Sequence, residues 1–391
     1  MRHKEPFTIF PRKTKNGKAV LYFRTYNEDG NRTTARSTGQ TNKAAARTYV
    51  TELLKSGNIL PKKNPKFKDY IENWWRWDEC PYVLGKRARG KNKISRTYVE
   101  SCRSYLDRHI LPYLGNYRIS AIKTRAIEGW LLDLRNKHSR LKTPLSPTTI
   151  NQILMTLKII FKEGVRIGDF SFDPTATVLP LEENREVKSF LNPDEIKKLF
   201  NEKKIQETWG GDLKHYTLNL LAASSGMRLG ECQGLQNQYV QGGYIDVRFV
   251  WIRKYGLKEW PKKGSKRKIP IPSKTQAHLS ELIALSPYQE ADDLIFWGVS
   301  GKKPMDNKII STALYDAFCK IGVSEEQRKE RNVTFHSWRY FYNSFLRGKV
   351  ADVKLQHLTG HRTQEMTDHY TSFRIEDFED VIRIQENFFN R

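Results

Sequence analysis

The chain has 391 residues, enough for two or three domains. Lys and Arg number 68 against 43 Asp and Glu, and the resulting charge of +25 points to a polyanionic partner, nucleic acid first. Hydrophobic residues make up 38% and aromatics 12%, which excludes a disordered chain, and no apolar run approaches membrane-spanning length. The cysteines, Cys80, Cys102, Cys232 and Cys319, are far apart and form no CxxC pair. That argues against a zinc site or a disulfide scaffold and fits a reducing compartment. No apolar stretch follows Met1-Arg2-His3-Lys4-Glu5, so no signal peptide is expected. The expectation is a soluble, cytoplasmic protein without a membrane partner, associated with the nucleoid when bound to DNA.

Residues 1–60 open with alternating Phe7, Ile9 and Phe10 and turn at Lys15-Asn16-Gly17-Lys18. The run Val20-Leu21-Tyr22-Phe23-Arg24 reads as a strand, and Asn27-Glu28-Asp29-Gly30 as a second turn before Thr33, Thr34 and Arg36. Lys43 to Lys55 reads as a helix capped by Thr41 or Asn42. The segment is therefore a small three-stranded sheet with one helix. Arg12, Lys13, Lys15, Lys18, Arg24, Arg32 and Arg36 crowd its strands and turns. A sheet can enter a major groove, although a basic hairpin alone is more often simply solvated.

Pro61-Lys62-Lys63-Asn64-Pro65-Lys66 reads as a linker. Residues 61–182 look all helical beyond it. Helices are expected from Phe67 to Trp77, after Ser95, from Ile119 to Leu134, and from Ser146-Pro147 onward. The last carries Ile150, Ile153, Leu154, Leu157, Ile160 and Phe161 at helical spacing, which marks a core stripe. Lys86, Arg87, Arg89, Lys91 and Lys93 read as a basic loop and as DNA contacts.

Residues 183–391 begin at a capping signal, Asn192-Pro193-Asp194-Glu195. A helix with Tyr216, Leu220 and Leu221 follows, then strands at 244–247, 249–252 and 268–271, then mostly helix from about 275. The fold class expected for the whole chain is multidomain α+β: a small sheet-plus-helix domain, an all-helical domain, and a mainly helical domain with a small sheet.

Four motifs in the last segment carry chemistry. They are Ser225-Gly226-Met227-Arg228-Leu229-Gly230-Glu231, Lys262-Lys263-Gly264-Ser265-Lys266-Arg267-Lys268-Ile269-Pro270, His336-Ser337-Trp338-Arg339, and Leu358-Thr359-Gly360-His361 followed by Asp368-His369-Tyr370. Phosphodiester exchange without a metal must stabilise extra negative charge on the non-bridging oxygens. Planar, permanently charged guanidiniums suit that task, and Arg228 and Arg339 are the candidates. Histidine can take the nucleophile's proton near neutral pH, and a lysine among other cations can protonate the leaving oxygen. His336 and Arg339 are three residues apart and would share a helix face. Each motif alone is commonplace; the ordered set is not.

That ordered set resembles the catalytic domain of the tyrosine recombinase (lambda-type integrase) family. On the resemblance, Arg228 corresponds to the first arginine, Glu231 to the acid that supports it, His336 and Arg339 to the central pair, His361 to the second histidine and Tyr370 to the nucleophile. Counting back from Pro270 favours Lys262 as the catalytic lysine, whereas aligning Lys-Gly favours Lys263. Trp338 and Tyr340 stand where Leu and His are common, and Cys232 where Leu is usual. The resemblance extends to a helical, SAM-like core-binding domain at 61–182 and an arm-type DNA-binding domain at 1–60. It implies a 3′-phosphotyrosyl intermediate with no metal and no cofactor. It also implies core- and arm-type double-stranded DNA sites and a homotetramer on DNA, with an excisionase and a DNA-bending protein as accessory partners. A non-catalytic DNA-binding regulator on the same scaffold is the alternative. Phe373 to Phe389 forms an apolar tail that could pack on its own domain or on a neighbour.

Overall fold

In the computed structural model the described residues are 5–13, 17–26, 30–57, 59, 64–90, 94–136, 144–183, 189–259, 266–347, 349–360 and 378–390. The chain divides into two units, residues 1–185 and 186–391. The mixed helical and small-sheet architecture is the one expected from the sequence.

The first unit opens with an antiparallel sheet of β1 (Phe7–Lys13), β2 (Ala19–Thr25) and the short β3 (Arg36–Ser37), followed by α1 (Lys43–Lys55). Phe7 and Phe23 on one sheet face pack with Val50 of α1 and with Ile59. Asn42 caps α1 through the backbone N–H groups of Ala44 and Ala45. The third strand is shorter than the Thr33–Arg36 run suggests. Thr33 instead bonds Thr25 twice, by its backbone N–H and its hydroxyl, and ends the regular ladder.

The helical part contains α2 (Phe67–Tyr70), α3 (Pro81–Arg89), α4 (Arg96–Tyr105), α5 (Leu111–Leu114), α6 (Thr124–Arg135) and α7 (Pro147–Arg166). Its core includes Phe67, Trp75, Trp130 and the α7 stripe Ile150, Ile153, Leu154, Leu157, Ile160 and Phe161. Three expectations change here. The helix expected over 67–77 stops at Tyr70. Consecutive helical residues point about 100° apart, yet Trp74 and Trp75 are both buried against Tyr82, and Trp75 takes a left-handed φ of 57°. The basic stretch after Pro81 is helix rather than loop as far as Arg89, because Pro81 starts it and left-handed Gly90 stops it. The helix expected over 119–134 starts only at Thr124, after a 3₁₀ turn at Ile119–Ala121.

The second unit begins with α8 (Pro193–Leu199), whose Asn192–Glu195 capping box forms as expected. It continues through α9 (Ile205–Trp209), α10 (Leu213–Ser225) and α11 (Leu229–Gln233). The strands are β4 (Val240–Gln241), β5 (Tyr244–Val247), β6 (Phe249–Ile252), β7 (Gly256–Glu259) and β8 (Arg267–Pro270). They do not form one sheet: β5 lies between β4 and β8, while β6 and β7 form a separate hairpin. After α12 (Ser273–Ala284) comes a hairpin, β9 (Trp297–Ser300) with β10 (Lys303–Pro304), in a region read as helical. The chain ends with α13 (Asn307–Lys320), α14 (Glu325–Glu330), α15 (Ser337–Leu346), α16 (Asp352–Thr359) and α17 (Glu379–Phe389). Helix α10 is buried along nearly its whole length and forms the centre of this core, with α12 and α15 packed on it. Helix α17 packs on its own unit: Phe378 and Val381 are buried, and Phe388 lies 5.9 Å from Phe341.

Candidate active site

Arg228 sits at the turn between α10 and α11. Helix α10 ends at Gly226 with φ of 65°, a left-handed stop that favours glycine. A Cβ there would meet the Tyr342 ring at 2.6 Å, so the turn also needs glycine for space. Arg228 then precedes α11, where the Glu231 carboxylate accepts its backbone N–H at 2.8 Å and its guanidinium at 3.3 Å. The Arg228 side chain remains 39% exposed, while that of Glu231 is fully buried.

His336 and Arg339 flank the start of α15. His336 occupies the capping position and is exposed, with its ring 5.5 Å from that of Tyr340. Arg339 is buried. Its guanidinium donates to the Gly226 carbonyl at 2.9 Å and to the Thr359 carbonyl. The first bond ties α15 to the turn that carries Arg228; the second ties it to the end of α16.

A third arginine joins them. Arg267 opens β8, and strand alternation sends it inward with Ile269 while Lys268 points out. Its guanidinium donates to Glu231 at 2.9 and 3.2 Å and to the Leu358 carbonyl at 2.7 Å. Burial raises the Glu231 carboxyl, but the charge and hydrogen bonds of Arg267, aided by Arg228, outweigh it and hold the group below the ordinary carboxylate range. Burial, and then the charge of Arg228, pull Arg339 down to about 10, so it stays charged at neutral pH. Three guanidiniums thus lie close to one carboxylate, which leaves positive charge in surplus, and Arg228 is the member exposed to solvent. Such a site favours an anion with several oxygens.

Residues 189–376 match the model of the phage integrase family, and residues 89–135 match that of the phage integrase N-terminal SAM-like domain. The chain belongs to the tyrosine recombinase, or phage integrase, family. Tyrosine recombinase XerC of Rickettsia conorii (strain ATCC VR-613 / Malish 7) is 27% identical over 175 residues, 44% of this chain and 50% of that protein. XerC of Methylobacterium sp. (strain 4-46) is 27% identical over 154 residues, 39% of this chain and 43% of that protein. The chain spans about half the length of the curated relatives it matches. Among solved structures, Tn1549 transposon integrase in complex with transposon right end DNA aligns at a TM-score of 0.58 and 22% identity, covering 79% of this chain and 98% of that one. A lambda integrase tetramer bound to a Holliday junction aligns at a TM-score of 0.56 and 16% identity, covering 93% and 98%. At these identities the likeness to the integrases is one of fold.

Of the residues singled out in the sequence, the structure brings Arg228, Glu231 and Arg339 into one cluster and places His336 three residues before Arg339, at the exposed start of α15. Lys262, Lys263, His361 and Tyr370 lie outside the described residues. So do Lys15, Lys91 and Lys93. In the N-terminal sheet, Arg12 and Arg24 alternate with aromatics on the face away from α1, Arg24 lying 5.3 Å over Phe10 and Arg12 5.5 Å over Tyr22. Lys13 is exposed, Arg32 bridges to Tyr26, and Arg36 turns toward the core and donates to the Ile59 carbonyl at 2.9 Å. Lys86, Arg87 and Arg89 lie on α3, with Arg87 paired to Asp78 and stacked 4.4 Å over Trp77. Arg267 was missed because it stands among four lysines, Lys262, Lys263, Lys266 and Lys268. The signal was present in its alternation with Ile269, an ionisable residue on the apolar side of a strand. Among the described residues no group of His, Cys, Asp or Glu could hold a metal ion, and no helix is long and apolar enough to cross a membrane.

Proposed function

We propose that the protein is a site-specific DNA recombinase of the integrase type, which integrates and excises a mobile element. The observation that carries this reading is the gathering of Arg228, Arg339 and Arg267 on the buried Glu231, an anion site built from separate segments of the chain. Tyr370 attacks the scissile phosphate through its hydroxyl oxygen. A 3′-phosphotyrosyl bond forms, the bond to the 5′ oxygen breaks, and that oxygen leaves as a hydroxyl. Arg228 and Arg339 stabilise the charge that builds on the non-bridging oxygens. His336 accepts or relays the tyrosine proton, Lys262 or Lys263 protonates the leaving oxygen, and His361 bonds a phosphate oxygen. The 5′-hydroxyl of a partner strand then reverses the step, so the bond energy is conserved and no ATP is required.

In this reading residues 1–60 bind arm-type sites, residues 61–182 bind core-type sites, and residues 183–391 carry the chemistry. Arg12 and Arg24 on the sheet face away from α1, and Lys86, Arg87 and Arg89 on α3, contact phosphates in this reading. Strand exchange between two sites requires four subunits, with an excisionase and a DNA-bending protein as candidate accessory factors. The test is a nicked suicide DNA carrying a candidate crossover site. A covalent protein–DNA adduct formed by the wild type and lost in Tyr370→Phe supports the reading. No adduct on a DNA that is bound specifically would replace it with a non-catalytic DNA-binding regulator.

A further inference from the structure

We propose that Arg267 is a positioning residue for the phosphate clamp, acting by occupying Glu231 so that Arg228 stays available to an external phosphate. The proposal rests on the recombinase reading and adds a residue to it.

Glu231 is a fully buried carboxylate with a guanidinium on either side. Left with Arg228 alone, a buried carboxylate would draw that side chain into a two-pronged pair, since guanidinium and carboxylate match in that geometry. Arg267 takes that place. Its Nη1 and Nη2 reach the two oxygens of Glu231 at 3.2 and 2.9 Å, and its own side chain is 1% exposed. Arg228 is held at one corner, 3.3 Å from Oε1, with its side chain still 39% exposed. Arg267 thus separates two demands that one arginine could not meet: neutralising a buried acid and presenting a free fork to solvent.

The same residue reaches the end of α16. The last carbonyls of a helix lack intrahelical partners. Here Arg267 Nε takes the Leu358 carbonyl at 2.7 Å, and Arg339 takes the neighbouring Thr359 carbonyl. Gly360 follows with φ of 65°, 3.6 Å by its virtual Cβ from Arg267 Nη1. The first clamp arginine and the end of the helix that leads to His361 therefore share one anchor. Lysine could supply the charge at position 267 but neither the fork nor the third direction of donation.

The experiment compares full-length wild type, Arg267→Lys, and a double variant, Arg267→Met with Glu231→Gln, which removes the buried acid together with its buried partner. Each is assayed in single turnover for adduct formation on two suicide DNAs, one with a normal scissile phosphate and one with a methylphosphonate. The methylphosphonate is neutral, so it makes less use of a charge clamp. The ratio of the two rates is independent of how much of each preparation is folded. The expected result for Arg267→Lys is an adduct rate on phosphate about a hundred-fold below wild type, with a loss under about ten-fold on methylphosphonate. In the double variant, where Glu231→Gln no longer draws Arg228 inward, the phosphate rate recovers at least about ten-fold over Arg267→Lys. DNA affinity should change little. A phosphate-to-methylphosphonate ratio equal to wild type in Arg267→Lys overturns the proposal, as does a double variant no faster on phosphate than Arg267→Lys, or a loss fully matched by weaker DNA binding. Wild type failing to form an adduct on either DNA overturns the recombinase reading itself, and this role with it.

Discussion

Arg339 Nη1 lies 2.9 Å from the carbonyl oxygen of Gly226, so Arg339 grips the turn that carries Arg228. Arg228 and Arg339 are more than a hundred positions apart in the chain, and this bond fixes one against the other. It also makes their roles unequal. Arg339 is buried and supports the framework as well as the site, whereas Arg228 is partly exposed and supports little besides the site.

That asymmetry is measurable. Arg228→Gln should change unfolding free energy by less than about 1 kcal/mol, because Glu231 keeps Arg267. Arg339→Gln should cost about 3 kcal/mol, because the Gly226 and Thr359 carbonyls lose their donor inside the core. Urea denaturation reads both values. Both variants should form adduct about a hundred to a thousand times more slowly. Equal stability losses would mean that Arg339 is not the structural member of the pair.

Gly226→Ala should be severe. It forces a side chain into φ of 65° and against the Tyr342 ring at 2.6 Å. The cost should be about 2–4 kcal/mol from backbone strain and overpacking together. Gly242→Ala is the control: nothing lies within 4 Å of its added Cβ, and its stability should stay near wild type. A Gly226→Ala protein with an unchanged denaturation midpoint would show that the turn relaxes.

Arg331 and Glu195 form a two-pronged pair at 2.8 Å that ties the end of α14 to the start of α8. The hydrogen bonds from Arg331 hold the Glu195 carboxyl below its ordinary value; partial burial opposes them, and the Asn192 backbone N–H and nearby positive charge assist. A depressed folded value means that the contribution is complete above the unfolded value, about 4.3, and fades as pH falls through the folded one. Arg331→Met should therefore cost on the order of 1–2 kcal/mol at neutral pH. The gap between variant and wild type should close below about pH 4 as Glu195 protonates. A gap that stays constant with pH would assign the loss to packing instead.

Helix α17 packs within its own chain. Phe378 is 1% exposed, and Gln385 donates to the Ser224 carbonyl at the end of α10. Phe378→Ala should cost about 3–5 kcal/mol. Because the contact is intramolecular, the loss should be the same at low and high protein concentration. A loss that shrinks as concentration rises would show that the tail docks on a neighbouring subunit in solution.

Much of this was legible in the sequence, and the exceptions have physical causes. The α7 stripe and the Asn192 cap are local signals, and both hold. The Arg228, Glu231 and Arg339 cluster was legible because the order of motifs carried it, although no spacing gave the bonds from Arg339 to Gly226 and Thr359. The early end of α2 was hidden because burying Trp74 and Trp75 together is a tertiary demand that overrides local preference. The stretch from Lys86 to Arg89 reads as loop in the sequence, although it is helical, because its cations outweigh the Pro81 start and the Gly90 stop. Arg267 was hidden in a lysine-rich run, where charge conceals burial. Whether the tail packs on its own unit depends on contacts with α10 and α15, which periodicity does not encode.

The account turns on one covalent bond, and mapping it tests the account most directly. The adduct trapped on suicide DNA would be digested with nuclease and trypsin and the modified peptide sequenced by mass spectrometry. Trypsin releases Thr363 to Arg374, in which Tyr370 is the only tyrosine. A nucleotide remnant on Tyr370 is the predicted result. A remnant on another residue, such as the exposed Tyr340 beside His336, would contradict it.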